Sequence, residues 1–166
     1  MKQGRGMEDS PISPTELLKV LVDFAQELAT VMLDFDGAEF LAYRDTYPEG
    51  AKAAFVTLED KEIIVRVGIA ASAEGLDQIS RALFCMEDDE DVPDDDVADA
   101  VGEVANTLSG KIVSHMDDLG IDLTTSPPVF VQSPLDIAEG MEAAFAEVML
   151  GRVPVSFVLI ISKPGE

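Results

Sequence analysis

The sequence lacks the residues on which several common kinds of site depend. Its 166 residues include no tryptophan, one cysteine (Cys85) and one histidine (His115). A single cysteine excludes an intrachain disulfide framework and a cysteine-based zinc site. A single histidine excludes a histidine-rich metal site and disfavours a self-contained hydrolase of the Ser-His-Asp or Cys-His type. We therefore expect this chain to carry no metal site built on cysteine or histidine.

Basic residues are also scarce. The chain has 11 Lys and Arg against 33 Asp and Glu, which gives a net charge of −22. Nucleic-acid binding is excluded because phosphate contacts need clustered basic side chains, and docking on anionic membranes is disfavoured for the same reason. No run approaches the ~20 apolar residues of a membrane span, and the N-terminal residues do not resemble a secretory signal. We expect a cytoplasmic protein.

Enough apolar sequence is present for one folded domain, since hydrophobic residues make up 47% of the chain. We expect residues 1–12 to form a flexible tail and residues 13–166 a single domain. The segment Ser13-Pro14-Thr15-Glu16 has the composition of a helix start, with a capping hydroxyl, proline at the first helical position and glutamate at the third. Apolar residues then recur at helical spacing to about Leu33.

The remaining elements follow in two similar series. The first half is predicted to contain a helix, a short strand and a hairpin (residues 14–33, 38–43, 54–58 and 63–70). A helix over residues 74–86, with Leu83 and Phe84 on its apolar side, connects it to the second half. The second half repeats the order (residues 95–119, 128–132, 144–150 and 155–161), although residues 142–149 also have good helix propensity.

This order indicates an α+β fold made of two pseudo-duplicated α-β-x-β-β units, with a mainly antiparallel sheet covered by long helices. The halves span about residues 14–72 and 94–162, joined by the connecting helix and an acidic loop over residues 74–93. Residues 87–96, which extend from this loop into the start of the next helix, hold eight acidic residues in ten. We interpret this run as a solvated loop leading into a helix start, where carboxylates suit the helix dipole.

The long helix of the second half has an unusual polar face. At 100° per residue, Asp99, Glu103, Asn106 and Gly110 fall within about 60° of one another, opposite the apolar stripe. An ordinary solvated face is the simplest interpretation. Asparagine and glycine are poor choices at exposed mid-helix positions, however, because one competes with backbone hydrogen bonds and the other costs about 1 kcal/mol relative to alanine. A bare surface of this kind would let another protein approach closely.

These residues resemble a known family. The pattern Asp99-x-x-x-Glu103-x-x-Asn106 matches the D/S-x3-E-x2-N signature of the CheC/CheX/FliY phosphatases, which dephosphorylate the chemotaxis response regulator. Gly110, the later Pro127-Pro128-Val129 and the order of elements extend the resemblance to a CheX-like domain over about residues 14–162. The α-β-x-β-β duplication is also the architecture of that family.

The resemblance implies a reaction and a role for each residue. A CheY-like receiver domain would supply an aspartyl phosphate and its own Mg²⁺, and this chain would supply a positioned water. Asn106 would orient that water, Glu103 would pair with the receiver's lysine, and Asp99 would support docking or Glu103. A catalytically weak binding or scaffolding module that sequesters a signalling partner is the alternative interpretation.

Two further expectations concern a second site and assembly. The first helix carries Asp23-x-x-x-Glu27-x-x-Thr30 at the same spacing, which is either a degenerate second site or a chance arrangement of carboxylates. We expect that face not to be catalytic, because the hydroxyl of Thr30 reaches less far than a carboxamide. CheX-type proteins pair through strands, so we expect a homodimer, with apolar strands such as residues 155–161 as candidate edges. Cys85 and His115 are expected to be packed in or near the core.

Overall fold

The first helix, α1 (Pro14–Glu27), begins as its sequence predicts. The computed structural model describes residues 12–165, and in it the Ser13 hydroxyl accepts a hydrogen bond of 3.1 Å from the Glu16 N–H. Pro14 occupies the first turn, where its missing N–H is not needed. The helix continues into a π-helical turn over Leu28–Met32, in which the Leu33 N–H bonds the Leu28 carbonyl. The predicted helix is therefore confirmed in extent, but its last turn is wider than an α-helical one.

Three strands and a short helix complete the first part of the chain. They are β1 (Ala38–Arg44), β2 (Lys52–Glu59), β3 (Ile64–Ala71) and α2 (Ala73–Leu83). The second part begins with a helix of 25 residues and continues with strands: α3 (Asp94–Asp118), β4 (Thr124–Thr125), β5 (Val129–Val131), β6 (Glu142–Leu150) and β7 (Val153–Ser162). The segment 142–149, which also had helix propensity, is a strand whose neighbours are β1 and β7.

All the strands form one antiparallel sheet in the order β1-β6-β7-β3-β2-β4, and β5 also pairs with β2. The short strand of each half therefore lies beside the hairpin of the other half. The helices are exchanged in the same way, since α1 packs on β6 and β7 while α3 packs on β2 and β3. This arrangement confirms the α+β fold class, with its antiparallel sheet and covering helices.

One expectation about the edges of the sheet is wrong. Strand β7 was a candidate edge, but it pairs with β3 on one side and β6 on the other, and residues 155–161 are buried. Its continuous apolar run reflects burial on both faces of a central strand. One edge is formed by β1, where Phe40, Leu41 and Tyr43 are each more than 40% exposed, and the other by β4 and β5.

The sheet has a helix-covered face and a face covered by loops. On the second face the ring of Phe55 lies over Gly68, where a Cβ atom would come within 2.5 Å of the ring. Phe55 belongs to an apolar cluster on this face that also includes Ala53, Ala70, Phe145, Val158 and Ile160. Leu135, Met141 and Tyr47 pack against this cluster from the loops. The Tyr47 hydroxyl is buried without a hydrogen-bond partner among the described residues, and burial raises the pKa of Tyr47 to about 12.

Two residues lie elsewhere than the sequence suggested. Residues 1–11 of the expected tail lie outside the described residues, but Ile12, assigned to the same tail, is 6% exposed and belongs to the core. Cys85, expected in the core, is exposed. It follows α2 in a left-handed conformation with φ 55°, where its N–H bonds the Ala82 carbonyl and the Met86 N–H bonds the Arg81 carbonyl. This pattern is the Schellman termination of a helix, at a position that usually holds glycine.

Replacing Cys85 by glycine should stabilise the protein. The left-handed conformation costs a residue with a Cβ atom about 1–2 kcal/mol, and glycine avoids this cost. Glycine also loses more chain entropy on folding, so the net gain is smaller than the cost avoided. We expect Cys85→Gly to raise the free energy of unfolding by about 1 kcal/mol in urea denaturation. Cys85→Ala, which keeps the Cβ atom, is the matched control and should give no gain. Equal stability of the glycine and alanine variants would contradict this explanation.

Candidate functional site on helix α3

Helix α3 buries one stripe of residues and exposes the opposite face. The stripe packs on β2 and β3 and includes Val97, Val101, Val104, Leu108 and Ile112. Asp99, Glu103 and Gly110 are exposed on the other face, and Asn106 between them is half-buried. At 1.5 Å per residue these four positions extend over about 16 Å of helix. We refer to Asp99, Glu103, Asn106 and Gly110 as the polar face.

The polar side chains on this face are available to a partner. Among residues 12–165, no hydrogen bond or ion pair engages the side-chain atoms of Asp99, Glu103 or Asn106. The neighbouring hydroxyls bond the helix backbone instead, Thr107 to the Glu103 carbonyl at 3.0 Å and Ser109 to the Asn106 carbonyl at 2.8 Å. A carboxamide held on a rigid helix with its donors and acceptor unused can position a small molecule such as water.

Two glycines of α3 have different surroundings. Gly102 is buried against the chain that leads into β5, and a Cβ atom added there would lie 3.1 Å from Cγ of Pro128. Gly110 faces open space, since nothing lies within 4 Å of the corresponding position. Gly102 therefore allows Pro128 to approach the helix, whereas Gly110 leaves the end of the polar face bare.

A groove runs beside the polar face. Its volume is about 420 Å³, and its lining joins α3 to the end of α2 and to β5 (Phe84, Ala98, Asp99, Gly102, Glu103, Pro128 and Phe130). Phe84 and Phe130 are not among the site residues predicted from the sequence, and Phe84 is predicted on the apolar side of its helix. Phe84 is in fact 43% exposed. The sequence features that could have indicated this groove are Gly102 in the middle of α3 and the pair Pro127-Pro128 before β5.

The corresponding region of α1 differs from α3. Asp23 and Glu27 are exposed, but Thr30 lies in the π-helical turn and its hydroxyl donates a hydrogen bond of 2.9 Å to the Gln26 carbonyl. Gln26 precedes Glu27 as Gly102 precedes Glu103, and its Oε1 accepts a hydrogen bond of 2.8 Å from the Ala38 N–H. In the first half the large side chain therefore comes from the helix, whereas in the second half Pro128 approaches the helix at Gly102.

Lys111 and His115 of α3 make packing contacts and lie outside the polar face. The Lys111 ammonium lies 4.5 Å from the centre of the Phe24 ring and so links α3 to α1. His115 is partly buried, as its position on the apolar stripe predicts. Over residues 12–165, no three His, Cys, Asp or Glu side chains come together as a metal site would need. No helix in that range is long and apolar enough to cross a membrane.

Comparison with known families identifies the family of the chain. The model of the family described as chemotaxis phosphatase CheX matches residues 53–145, more than half of the chain. The chain belongs to the CheX family. The matched region includes α2, the groove and the whole polar face of α3. No curated protein sequence matches the chain significantly.

Solved structures of CheX and CheC-like proteins share the fold. A CheX protein from Desulfovibrio desulfuricans has a TM-score of 0.69 at 15% identity, over 89% of this chain and 99% of that one. A CheC-like superfamily protein from Shewanella sp. PV-4 has a TM-score of 0.72 at 13% identity, over 89% and 97%. A chain of the CheX-CheY-BeF3-Mg²⁺ complex from Borrelia burgdorferi has a TM-score of 0.70 at 21% identity, over 88% and 97%.

The surroundings of the two glycines lead to a prediction about stability. Gly110→Ala should raise the free energy of unfolding by about 1 kcal/mol, because alanine is the better helix former and the added methyl group meets nothing. Gly102→Ala, its matched control on the same helix, should give no such gain because the methyl group presses on Pro128. Chemical denaturation of both variants measures the difference. Equal stabilisation by the two substitutions would contradict the close packing of Pro128 on α3.

Proposed function

We propose that this CheX-family chain hydrolyses the aspartyl phosphate of a CheY-like receiver domain. In this proposal Asn106 positions the attacking water and Glu103 pairs with the receiver's active-site lysine. The observation that carries the proposal is the polar face itself, where a carboxylate and a carboxamide stand one turn apart on a rigid helix with no partner among the described residues. Such a phosphatase would act in the cytoplasm, where receiver domains signal.

The chemistry requires little from this chain beyond positioning. Water must attack phosphorus in line with the bond to the aspartyl oxygen, which leaves as a carboxylate while phosphate is released. The Asn106 carboxamide oxygen can accept a hydrogen bond from that water, and its amino group can donate one to a phosphoryl oxygen. Mg²⁺ bound by the receiver would neutralise the phosphoryl oxygens. No cofactor on this chain is needed for these steps.

The Borrelia burgdorferi complex supports the choice of partner. It contains CheX, CheY, Mg²⁺ and beryllofluoride, and a chain of that complex has the fold of this one. Beryllofluoride resembles a phosphoryl group in shape and charge, so a complex of this composition corresponds to a phosphorylated receiver. Glu103 then has a clear function in docking, because its carboxylate can pair with a lysine while its position fixes the register of Asn106.

Removing the carboxamide tests the mechanism. The wild-type chain should shorten the lifetime of a receiver aspartyl phosphate, and Asn106→Ala should slow that hydrolysis by at least ~10²-fold, the size of effect expected when an orienting hydrogen-bonding group is lost. The loss of radiolabelled phosphate from the receiver measures the rate. Asp118→Ala, a polar-to-alanine change at an exposed position of α3 about 120° around the helix from Asn106, is the matched control and should leave it unchanged.

Each other outcome has a defined meaning. A wild-type chain that binds the phosphorylated receiver without shortening its lifetime would be the scaffolding module of the alternative interpretation. Full activity of Asn106→Ala would contradict the assigned water-positioning role. Thr30→Ala should have no effect, because the Thr30 hydroxyl bonds the Gln26 carbonyl. A loss of activity in that variant would make α1 a second catalytic helix.

We also propose that the chain forms a homodimer through β1. This strand lies at the edge of the sheet, and Phe40, Leu41 and Tyr43 leave apolar surface exposed beside its unpaired backbone. An exposed edge of this kind can accept a strand from a second copy. The register of β1 against β6 shifts between Phe40 and Ala42, so a partner strand would pair with the regular residues on either side of this irregularity.

A charge on this edge should separate the copies. We expect sedimentation equilibrium to give a dimer for the wild-type chain and a monomer for Leu41→Lys, since lysine on an edge strand opposes pairing. Val31→Lys is the matched control, because Val31 is 76% exposed and lies outside the strand. A monomeric wild-type chain, or a Leu41→Lys variant that remains dimeric, would contradict the proposed interface.

A further inference from the structure

The groove beside the polar face combines two kinds of surface. Asp99 and Glu103 line it from α3, and the apolar residues Phe84, Pro128 and Phe130 line it from the end of α2 and the chain that leads into and through β5. The cavity of about 420 Å³ is open to solvent between these walls. A ligand that fills it must therefore satisfy negative charge on one side and cover apolar surface on the other.

Phe84 is fixed in its exposed position by the backbone around it. Its N–H donates to the Ser80 carbonyl at 3.0 Å, and the left-handed Cys85 turns the chain so that Met86 bonds back to Arg81 at 2.8 Å. The Arg81 side chain in turn donates from Nε to the Glu90 carbonyl at 2.8 Å, which holds the acidic segment against the end of α2. These bonds fix the end of α2 that carries the Phe84 ring. The ring is exposed there although burial of a phenylalanine side chain would contribute about 1.5–3 kcal/mol to stability.

The chemistry of the walls selects the occupant. A purely apolar side chain would remove the Asp99 and Glu103 carboxylates from water without pairing them, and an acidic side chain would be repelled. A lysine or arginine side chain matches both walls, because its apolar stem can pack on Phe84 and Phe130 while its charged end meets a carboxylate. Its cation can also lie over an aromatic face. In the described part of the chain, no lysine or arginine pairs with Asp99 or Glu103.

We propose that this groove receives a basic side chain from the surface of the receiver domain, with Asp99 as the carboxylate that binds it. This side chain is separate from the active-site lysine assigned to Glu103, since one turn of helix separates the two carboxylates. Asp99 and Phe84 then determine which receivers bind, while Asn106 acts on the phosphoryl group. The inference rests on the proposed function for the identity of the partner but not for the chemistry of the groove.

Affinity for a beryllofluoride-activated receiver tests the inference. We expect Asp99→Asn and Phe84→Ala each to weaken binding about tenfold in calorimetry. Both positions are exposed, so both variants should fold, as circular dichroism can verify. Asp117→Asn, which removes the same charge from an exposed position at the far end of α3, is the matched control and should bind as the wild type does.

The outcomes separate this inference from the proposed function. Unchanged affinity in Asp99→Asn and Phe84→Ala would overturn the groove, and so would an equal loss in Asp117→Asn, because overall charge would then explain the effect. Weakened binding in the groove variants supports it even if Asn106→Ala keeps full activity, a result that would contradict only the water-positioning role.

A probe that needs no receiver gives an independent measurement. In an NMR titration, N-acetyl-arginine methylamide should shift the amide signals of Phe84, Asp99 and Gly102, whereas N-acetyl-norleucine methylamide should not. Shifts that Asp99→Asn abolishes would support the groove even if the wild-type chain bound no receiver. Identical responses to the two probes, or none to arginine at millimolar concentration, would overturn it.

Discussion

The pairing of β3 with β7 at the centre of the sheet is the interaction on which the rest of the structure depends. It runs from Ile64 opposite Ser162 to Ala70 opposite Ser156 and joins the hairpins of the two halves. Each half also places its helix and its short strand on the hairpin of the other. Neither half can bury its apolar surface alone. The position of α3, and of every residue on its polar face, therefore depends on contacts made by the whole chain.

The acidity of the chain has a local rather than a global role at the site. The eight acidic residues of the segment 87–96 are exposed, and three aspartates in the first turn of α3 lie where the helix dipole favours negative charge. In the proposed function the partner is a receiver domain, whose active site is itself a cluster of aspartates. A chain of net charge −22 is not drawn to such a partner by its overall field, so recognition in this proposal comes from short-range contacts. The polar face and the groove beside it supply both carboxylates and apolar surface for such contacts.

Local patterns could be predicted from the sequence because local interactions determine them. The capping hydroxyl of Ser13 and the alignment of Asp99, Glu103 and Asn106 each depend on the geometry of one helix. Strand order does not, and the prediction of β7 as an edge is wrong. Its continuous apolar run indicates burial on both faces but does not identify the strands on either side of it. The exposure of Cys85 likewise follows from a helix termination in which a cysteine occupies the usual place of glycine.

The difference between α1 and α3 explains why one helix alone has the features of a site, although both carry carboxylates at the same spacing. In the first half the large residue, Gln26, lies on the helix and contacts Gly37, the residue before β1. In the second half the small residue, Gly102, lies on the helix and contacts Pro128, the residue before β5. Gln26 projects from α1 and bonds Ala38, whereas Gly102 and Pro128 meet at the corresponding place on α3 and line the groove beside Glu103. The Thr30 hydroxyl adds a second difference, since it bonds the Gln26 carbonyl, whereas the side chain of Asn106 has no hydrogen-bond partner among residues 12–165. The two halves thus share one fold but present different side chains at the same helix-to-strand contact.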